Sequence, residues 1–287
     1  MKSMSSAISR FDVIAKPGAS LGEIRVSGGI SVRMDSRQGR NRIADVRERD
    51  GYKVRFPRRS DPPEAIIINT GGGLASGDDI LQSLDIGDDA ALTVTTQAAE
   101  RSYRALDGAT TKLNVRATLG QNARLTWLPQ ETILFDRTRL SRSIDVDLST
   151  SASALIAETV VFGRIAMGER LESGLFADKW RIRRENRLVF AENIKLHDES
   201  FRLMSEVALC GGAHIAMTLI YVASNAQDVL DATRVALADA PFRCAASAWD
   251  GKLVVRGLAH RTEDVRNLMQ KIVPALGGGS LPRVWWT

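Results

Sequence analysis

The middle of the sequence repeats itself, and this repeat limits what the chain can fold into. The segment IGDDAALTVTTQ begins at Ile86, and LGQNARLTWLPQ begins 33 residues later, at Leu119. A degenerate third copy, LSTSASALIAETV, begins after a further 29 residues, at Leu148. A stretch of alternating apolar and polar residues precedes each copy, so each copy is interpreted as a polar turn between two β segments.

A unit of two strands cannot bury its own apolar face, so consecutive units must stack on one another. The repeat therefore predicts a mainly β fold whose sheets stack in a β-helix-like (solenoid-like) arrangement, with mostly antiparallel pairing over residues 20–225. Near the start of this region, Gly28 and Gly29 predict a turn between two strands.

Two segments near the C-terminus show helical periodicity. Residues 228–239 form the first, and residues 262–276 form the second, with Thr262 as its N-cap. A hairpin that turns at Asp250 and Gly251 is predicted between them. The expected organisation is a tail at 1–19, a β-repeat body at 20–225 and an α+β cap at 226–287, packed together as one continuous domain.

Composition and charge set broad limits on function. The 287 residues carry a net charge of +5, which suits nucleic acid or an acidic protein partner equally well. Cys210 and Cys244 are too few for a disulfide framework, and we expect them to be reduced and buried. No segment has the length and apolarity of a signal peptide or a membrane span, which predicts a cytoplasmic protein without membrane contact.

A basic segment raises the alternative of a nucleic-acid-binding module. Residues 33–59 hold ten arginines and lysines, with four acidic residues interleaved among them. Such a mixture is more often a solvated face than a nucleic-acid stripe. Only 6% of all residues are aromatic, which also argues against stacked bases, so we expect no nucleic acid partner.

The glycine-rich segment INTGGGLASGDD does not have the chemistry of a phosphate loop. Residues 72–77 spell G-x-x-x-x-G, but Asp78 and Asp79 follow where lysine and serine or threonine are needed, and the next residues alternate like a strand. The local acidic patch favours turn chemistry over a hard-cation site. It contains Asp78, Asp79, Asp85, Asp88 and Asp89.

Nucleophilic catalysis and a tight metal site both lack support. Residues 18–22 spell G-x-S-x-G, but strand-like residues follow where a nucleophile elbow needs a helix, and the three histidines lie outside any serine or cysteine signature. Cys210 and His214 could share a metal, but no second pair stands at ligand spacing.

Carboxylates within apolar strand sequence are the stronger indication of a site. Glu131 and Glu158 are both followed by threonine, and Gln97 holds the neighbouring position in the first copy. Stacking would bring these groups together in a polar interior path for a cation or water. Hydrogen bonding to nearby backbone is an equally good explanation. A third interpretation is a β-solenoid polysaccharide hydrolase that uses the two carboxylates.

Several segments, in order, resemble the urease accessory protein UreD, also called UreH. They are INTGGGLASGD, VTTQAAERSYRA, WLPQETILFDRTRLSRSIDVDL, AETVVFGRIAMGE and LPRVWWT. The resemblance extends over residues 22–287. It implies a β-helix-like fold with two helices and a role that is not catalytic.

The resemblance also implies partners and a cargo. Proteins of this kind bind apo-urease and join UreF and the nickel-carrying GTPase UreG, in an assembly that inserts nickel and supports carbamylation of the urease lysine. No tightly bound cofactor is implied; nickel would pass through a hydrated interior path. Oxygen ligands would hold nickel weakly enough for transfer. The candidate path residues are Asp78, Glu131, Glu158 and Glu169, with Gln97 and Gln130 as polar lining.

Overall fold

The computed structural model describes residues 25–58 and 60–286. The predicted tail at 1–19, the first residues of the first predicted strand (22–24) and Arg59 lie outside these residues. The described chain forms two β-sheets, here called sheet A and sheet B, which face each other. Sheet A contains, in spatial order, β14 (Arg187–His197), β13 (Leu175–Arg184), β11 (Arg139–Leu148), β8 (Thr111–Leu119), β5 (Asp79–Ile86), β1 (Ser27–Arg37) and β2 (Arg40–Arg49).

Sheet B holds the strands that alternate with those of sheet A along the chain. In spatial order they are β16 (Arg243–Trp249), β17 (Lys252–Ala259), β15 (Ile215–Val222), β12 (Ser153–Phe162), β9 (Arg124–Leu128), β6 (Ala91–Thr96), β4 (Glu64–Asn69) and β3 (Tyr52–Arg55). Two short strands, β7 (Glu100–Ser102) and β10 (Thr132–Leu134), pair beside β12. The mainly β, solenoid-like fold predicted from the repeat is confirmed.

The prediction of mostly antiparallel pairing is wrong for the repeats. Strands β1, β5, β8, β11 and β13 pair in parallel in sheet A, and β4, β6, β9 and β12 pair in parallel in sheet B. Each repeat crosses from sheet A to sheet B, so the next copy re-enters sheet A in the same direction. Antiparallel pairs join the flanking strands, such as β1 with β2 and β12 with β15.

The number of residues between sequence copies equals the register in which the strands of sheet A pair. Ile86 pairs with Leu119, and Leu119 pairs with Leu148, which is the alignment of the three sequence copies. The polar turns of the copies (87–90, 120–123 and 149–152) therefore lie on top of one another, and we call them the turn end. Their side chains bond from turn to turn: Asn122 Nδ2 donates to Asp89 at 2.9 Å. Turn chemistry thus explains this part of the acidic patch.

Two apolar layers hold the fold together. The first, which we call the interior, lies between sheets A and B, and alternate residues of each strand point into it. The second, the helix layer, lies between the other face of sheet B and the helices α2 (Leu230–Ala238) and α3 (Thr262–Ala275). In β12 the alternation is clear, since Ile156 and Val160 face the interior while Leu155 and Val161 face the helix layer.

Both predicted C-terminal helices are present, as is the hairpin between them. Helix α3 buries Val265, Leu268, Met269, Ile272 and Val273, and burial of each such side chain contributes about 1.5–3 kcal/mol. Thr262 is the first helical residue, and Arg261 stands at the N-cap without a side-chain hydrogen bond, so the predicted cap is wrong by one residue. A short helix, α1 (Glu199–Arg202), was not predicted.

The turn predicted at Gly28 and Gly29 is also wrong, because β1 runs straight through both glycines. A Cβ atom on Gly29 would lie 1.8 Å from the carbonyl oxygen of Leu81, and one on Gly28 would lie 2.5 Å from that of Asp50. The glycines are therefore needed for close approach of neighbouring backbone and not for a reversal of the chain.

Candidate functional site

The segments that carry the family motifs meet at one end of sheet B. The chain leaves the parallel strands β4, β6, β9 and β12 through residues 70–78, 97–99, 129–131 and 163–169. Because neighbouring parallel strands end on the same side, these four segments lie beside one another, opposite the turn end. We call them the motif end.

An aromatic pair fixes the glycine segment at the motif end. The Tyr103 hydroxyl donates a hydrogen bond to the Gly72 carbonyl oxygen at 2.9 Å, and its ring lies 5.2 Å from that of Phe135, edge to face. A Cβ atom on Gly73 would stand 2.6 Å from the Tyr103 ring. The glycines thus allow the loop to approach an aromatic side chain, and no helix follows them.

Glu169 stabilises a turn at the motif end. Its carboxylate accepts a hydrogen bond from Arg164 Nη2 at 2.6 Å and another from the Asp136 backbone N–H at 3.1 Å. Arg164 also lies over the Phe135 ring, 4.3 Å from its centroid. The hydrogen bond from Arg164 holds the pKa of Glu169 below its usual value.

Asp78 also has backbone partners. It is 3% exposed, and its two carboxylate oxygens accept the N–H groups of Val26 at 2.9 Å and Ala75 at 2.8 Å. These bonds close the turn that leads into β5 and join it to β1. The structural explanation accounts for Asp78 completely, and its place on a nickel path stays a prediction.

The polar residues that interrupt the apolar stretch between β9 and β10 hold the C-terminal segment against sheet B. The Gln130 side chain donates from Nε2 to the carbonyl oxygens of Gln97 at 2.9 Å and Val284 at 3.1 Å. Its backbone N–H donates to Thr96 Oγ1 at 2.9 Å. Gln97 contributes its backbone to this contact, while its side chain is exposed.

Glu131 points into the helix layer. It is 7% exposed, and its Oε1 accepts a hydrogen bond from Arg266 Nη2 of α3 at 2.8 Å. The same guanidinium is 3.3 Å from Gln130 Oε1. A buried carboxylate is costly without a partner, and α3 supplies one. Gln130 and Glu131 together thus position the last helix and the chain that follows it.

Glu158 points the other way, into the interior. Its Oε1 accepts a hydrogen bond from Trp127 Nε1 at 2.8 Å, and its Oε2 pairs with Arg142. Arg142 Nε also donates to Asp178 Oδ1 at 2.9 Å. All three charged residues are at most 5% exposed. Burial raises the pKa of Glu158, and the positive charge of Arg142 offsets part of that rise.

The structure does not bring Glu131 and Glu158 together as stacking of the repeats had suggested. Thr132 of β10 pairs with Val160 of β12, so the two strands are out of phase with the repeat, and the two carboxylates belong to opposite faces of sheet B. This separation also removes the paired-carboxylate geometry that a polysaccharide hydrolase would need.

Sequence reasoning missed Arg142 and Asp178, the partners of Glu158. The indication was present, since charged residues stand at inward positions of alternating strands: Arg142 between Leu140 and Ile144, and Asp178 between Phe176 and Trp180. Each replaces an apolar residue in the interior. Two such replacements indicate a buried ion pair when they stand on adjacent strands and their side chains have opposite charges.

The motif end also carries an apolar surface and two histidines. A cavity of about 580 Å³ lies between residues 163–167, Glu131 and the start of α3, and Ile165 and Met167 beside it are 38% and 76% exposed. The rings of His214 and His260 are 5.8 Å apart at its edge. Burial, and then the neighbouring His260 ring, lower the pKa of His214.

The described residues contain no group of three or more histidine, cysteine or acidic side chains placed to hold a metal ion. Cys210 and His214 accordingly lack a third ligand within that part of the chain. Cys210 and Cys244 are free and only half-buried, not fully buried as expected. No helix among residues 25–58 and 60–286 has the length and apolarity needed to cross a membrane.

The basic segment at residues 33–59 forms the β1–β2 hairpin and β3, with its last residue outside the described range. Several of its cations pair with the interleaved acids: Arg47 with Asp45 at 3.0 Å, and both Lys53 and Arg55 with Glu48, at 3.1 and 2.8 Å. Part of the positive charge is therefore balanced locally.

These features define a class of protein: a solenoid-like β scaffold with an ordered motif end and arginine-paired buried carboxylates. The family model of the UreD urease accessory protein matches residues 26–286. The chain is 40% identical over 273 residues to urease accessory protein UreD 1 of Methylobacterium radiotolerans, covering 93% of this chain and 94% of that protein. It is 43% identical over 249 residues to UreD of Rhizobium leguminosarum bv. viciae, covering 86% and 90%. The chain belongs to the UreD family of urease accessory proteins.

Proposed function

We propose that this protein acts in urease maturation as a scaffold for nickel insertion, bridging apo-urease to the accessory proteins UreF and UreG. It works in the cytoplasm, as a chaperone and not as an enzyme. Its membership in the UreD family supports this role. The motif end is the docking surface, since its four segments form one continuous edge and expose Ile165 and Met167.

The observation that carries the nickel part of the proposal is the buried carboxylate of Glu158. It lies in the interior beside a cavity of about 340 Å³, and although Trp127 and Arg142 each contact one of its oxygens, both oxygens keep a lone pair for a passing cation. Nickel is a cargo in transit and prefers imidazole or thiolate for tight binding, so carboxylate oxygens would release it readily. The other path residues proposed are Glu131, Glu169 and Asp78, with Gln97 and Gln130 as lining.

Co-expression with the urease subunits, UreF and UreG tests the proposal. Omission of this chain should abolish most urease activity and lower the nickel content of the urease. Glu158→Gln should lower both, because the neutral amide binds a cation less well while keeping the shape of the side chain. The control is Glu185→Gln, at an exposed carboxylate beside the turn end, which should leave both unchanged.

The docking part and the nickel-path part of the proposal are tested by different variants, with different expected results. Met167→Asp should prevent the complex from forming, as seen by co-purification of the partners, because a charge replaces an exposed apolar side chain. Glu158→Gln should leave the complex intact and reduce only nickel delivery. Normal nickel delivery by the Glu158→Gln variant would contradict the path, and normal assembly by Met167→Asp would contradict docking at the motif end.

A further inference from the structure

A cavity of about 340 Å³ opens between the two sheets at their β14 and β15 side, where the interior is not filled by side chains. Its walls are mostly aliphatic and aromatic, with Phe162 from sheet B facing Phe176 and Trp180 from sheet A. A pocket of this size, lined by apolar groups with a few polar ones, is typical of sites that bind small molecules.

The charged side chains at the floor of this cavity have a net negative charge. Glu158 and Asp178 carry two negative charges, and Arg142 between them carries one positive charge. Each carboxylate oxygen accepts one hydrogen bond here and has a second lone pair available. A surplus negative charge is unfavourable in such surroundings, so the floor favours a positively charged group.

The wall beside this floor contains a hydrogen-bond donor, the indole N–H of Trp180, that is not paired with an acceptor. Trp180 is 1% exposed, and its Nε1–H has no hydrogen-bond partner among the described residues. Trp180 and Asp178 are two residues apart on β13, so their side chains leave the same face of sheet A. An unpaired buried N–H is costly. Nε1 has almost no accessible surface, so a small rotation of the ring towards the cavity would be needed for a ligand oxygen to accept from it.

The aromatic rings add a further attraction for cations. The electron-rich faces of tryptophan and phenylalanine attract ammonium groups, most strongly where water is excluded. The Arg142 guanidinium already lies 5.7 Å from the centroid of the Phe176 ring. Acidic oxygens, aromatic rings and a free indole N–H thus surround one apolar space.

We propose that this cavity binds an organic ammonium ion that has an aliphatic body and one acceptor oxygen, as in an amino alcohol. The ammonium group pairs with Glu158 and Asp178, the oxygen accepts from Trp180 Nε1, and the chain lies against the apolar walls. The site shares Glu158 and its cavity with the proposed nickel path, so an ammonium ion and nickel would compete there. The binding test below uses no nickel and no urease, so its result is separate from the test of nickel delivery. The mouth is at Leu203 and Leu209, which line the cavity and are 45% and 53% exposed.

Isothermal titration calorimetry of the full chain with four probes of equal chain length tests each feature separately. The probe 6-amino-1-hexanol has both groups, n-hexylamine lacks the oxygen, 1-hexanol lacks the charge, and hexanoate carries the opposite charge. We expect hexanol and hexanoate to bind about 10- to 100-fold more weakly than aminohexanol, from the loss of a charge-assisted hydrogen bond. Hexylamine should bind about 2- to 10-fold more weakly, from the loss of a neutral one.

Two variants locate the site. Trp180→Phe keeps the ring and removes the N–H, so aminohexanol should then bind no better than hexylamine. Ala216→Phe fills the cavity from β15 without altering the charged floor and should abolish binding of all four probes. Near-ultraviolet circular dichroism establishes whether each variant is folded. If neither variant folds, the four-probe series on the wild-type protein still tests the proposal.

Three results would overturn the proposal. The first is no saturable binding of aminohexanol to the wild-type protein. The second is hexanol binding as tightly as aminohexanol, which would mean that the charged floor plays no part. The third is unchanged binding to folded Ala216→Phe, which would place the probe elsewhere on the protein.

Discussion

The interior and the helix layer lie on opposite faces of sheet B, and each buries a carboxylate against an arginine. In the interior, Glu158 meets an Arg142 side chain that is 1% exposed and is also held by Asp178. In the helix layer, Glu131 meets an Arg266 side chain that is 28% exposed. The first arginine is almost completely buried at the floor of the interior cavity, whereas the second is already partly in contact with solvent.

A third carboxylate, Glu100, has no arginine partner within residues 25–58 and 60–286. It accepts hydrogen bonds from Asn69 Nδ2 at 2.9 Å and from the Tyr52 hydroxyl at 3.3 Å, and both donors are neutral. Burial raises the pKa of Glu100 to about 7, and these two hydrogen bonds offset only part of the rise. The pKa of Glu158 is also raised, so neither two neutral donors nor an arginine fully offsets the effect of burial in this fold.

Arg142→Met should have the largest effect on stability. It would leave Glu158 and Asp178 buried without their cation, so that they would either keep an unpaired charge or take up a proton, and removal of one partner of a buried ion pair costs about 3–5 kcal/mol. Urea denaturation at pH 7 would measure the loss. The matched control is the triple variant Arg142→Met, Glu158→Gln, Asp178→Asn, which removes the charges together and should recover part of the loss. A cost below about 1 kcal/mol for Arg142→Met would mean that the interior admits water.

The stack could be predicted from the sequence because its offsets are regular. Alignment of Ile86, Leu119 and Leu148 in the sequence is the same as their pairing in sheet A. The direction of pairing was not predicted, because alternation alone does not tell whether a chain returns in the same sheet or crosses to the other. Crossing after each polar turn is what makes neighbouring copies parallel.

The candidate site was less predictable for a related physical reason. Glu131 and Glu158 have similar neighbours in the sequence, but the break at Pro129 and Gln130 shifts β10 relative to β12. A shift of one residue sends a side chain to the opposite face of a sheet. The contact of Glu131 with Arg266, 135 positions away, depends on how α3 packs, which local patterns do not determine.

Glu100 should make stability depend on pH near neutrality. The folded protein holds its proton up to about pH 7, whereas the unfolded chain releases it near pH 4.5. This contribution is therefore fully present below pH 4.5 and is lost as the pH rises through 7, by about 3 kcal/mol. Glu100→Gln should flatten that part of the profile, as measured by urea midpoints between pH 4.5 and 8. The same slope in both proteins would assign the titration to another group.

Arg266→Met should have the smallest effect, a loss of about 1–2 kcal/mol in the free energy of unfolding. The hydrogen bond to Glu131 is charge-assisted, but the partial exposure of Arg266 lets water replace it. A double-mutant cycle with Glu131→Gln, measured by urea denaturation, isolates the coupling between the two side chains. The same cycle between Arg142→Met and Glu158→Gln should give a coupling several times larger. Equal couplings would mean that the helix layer excludes water as completely as the interior, and the distinction between the two layers would then fail.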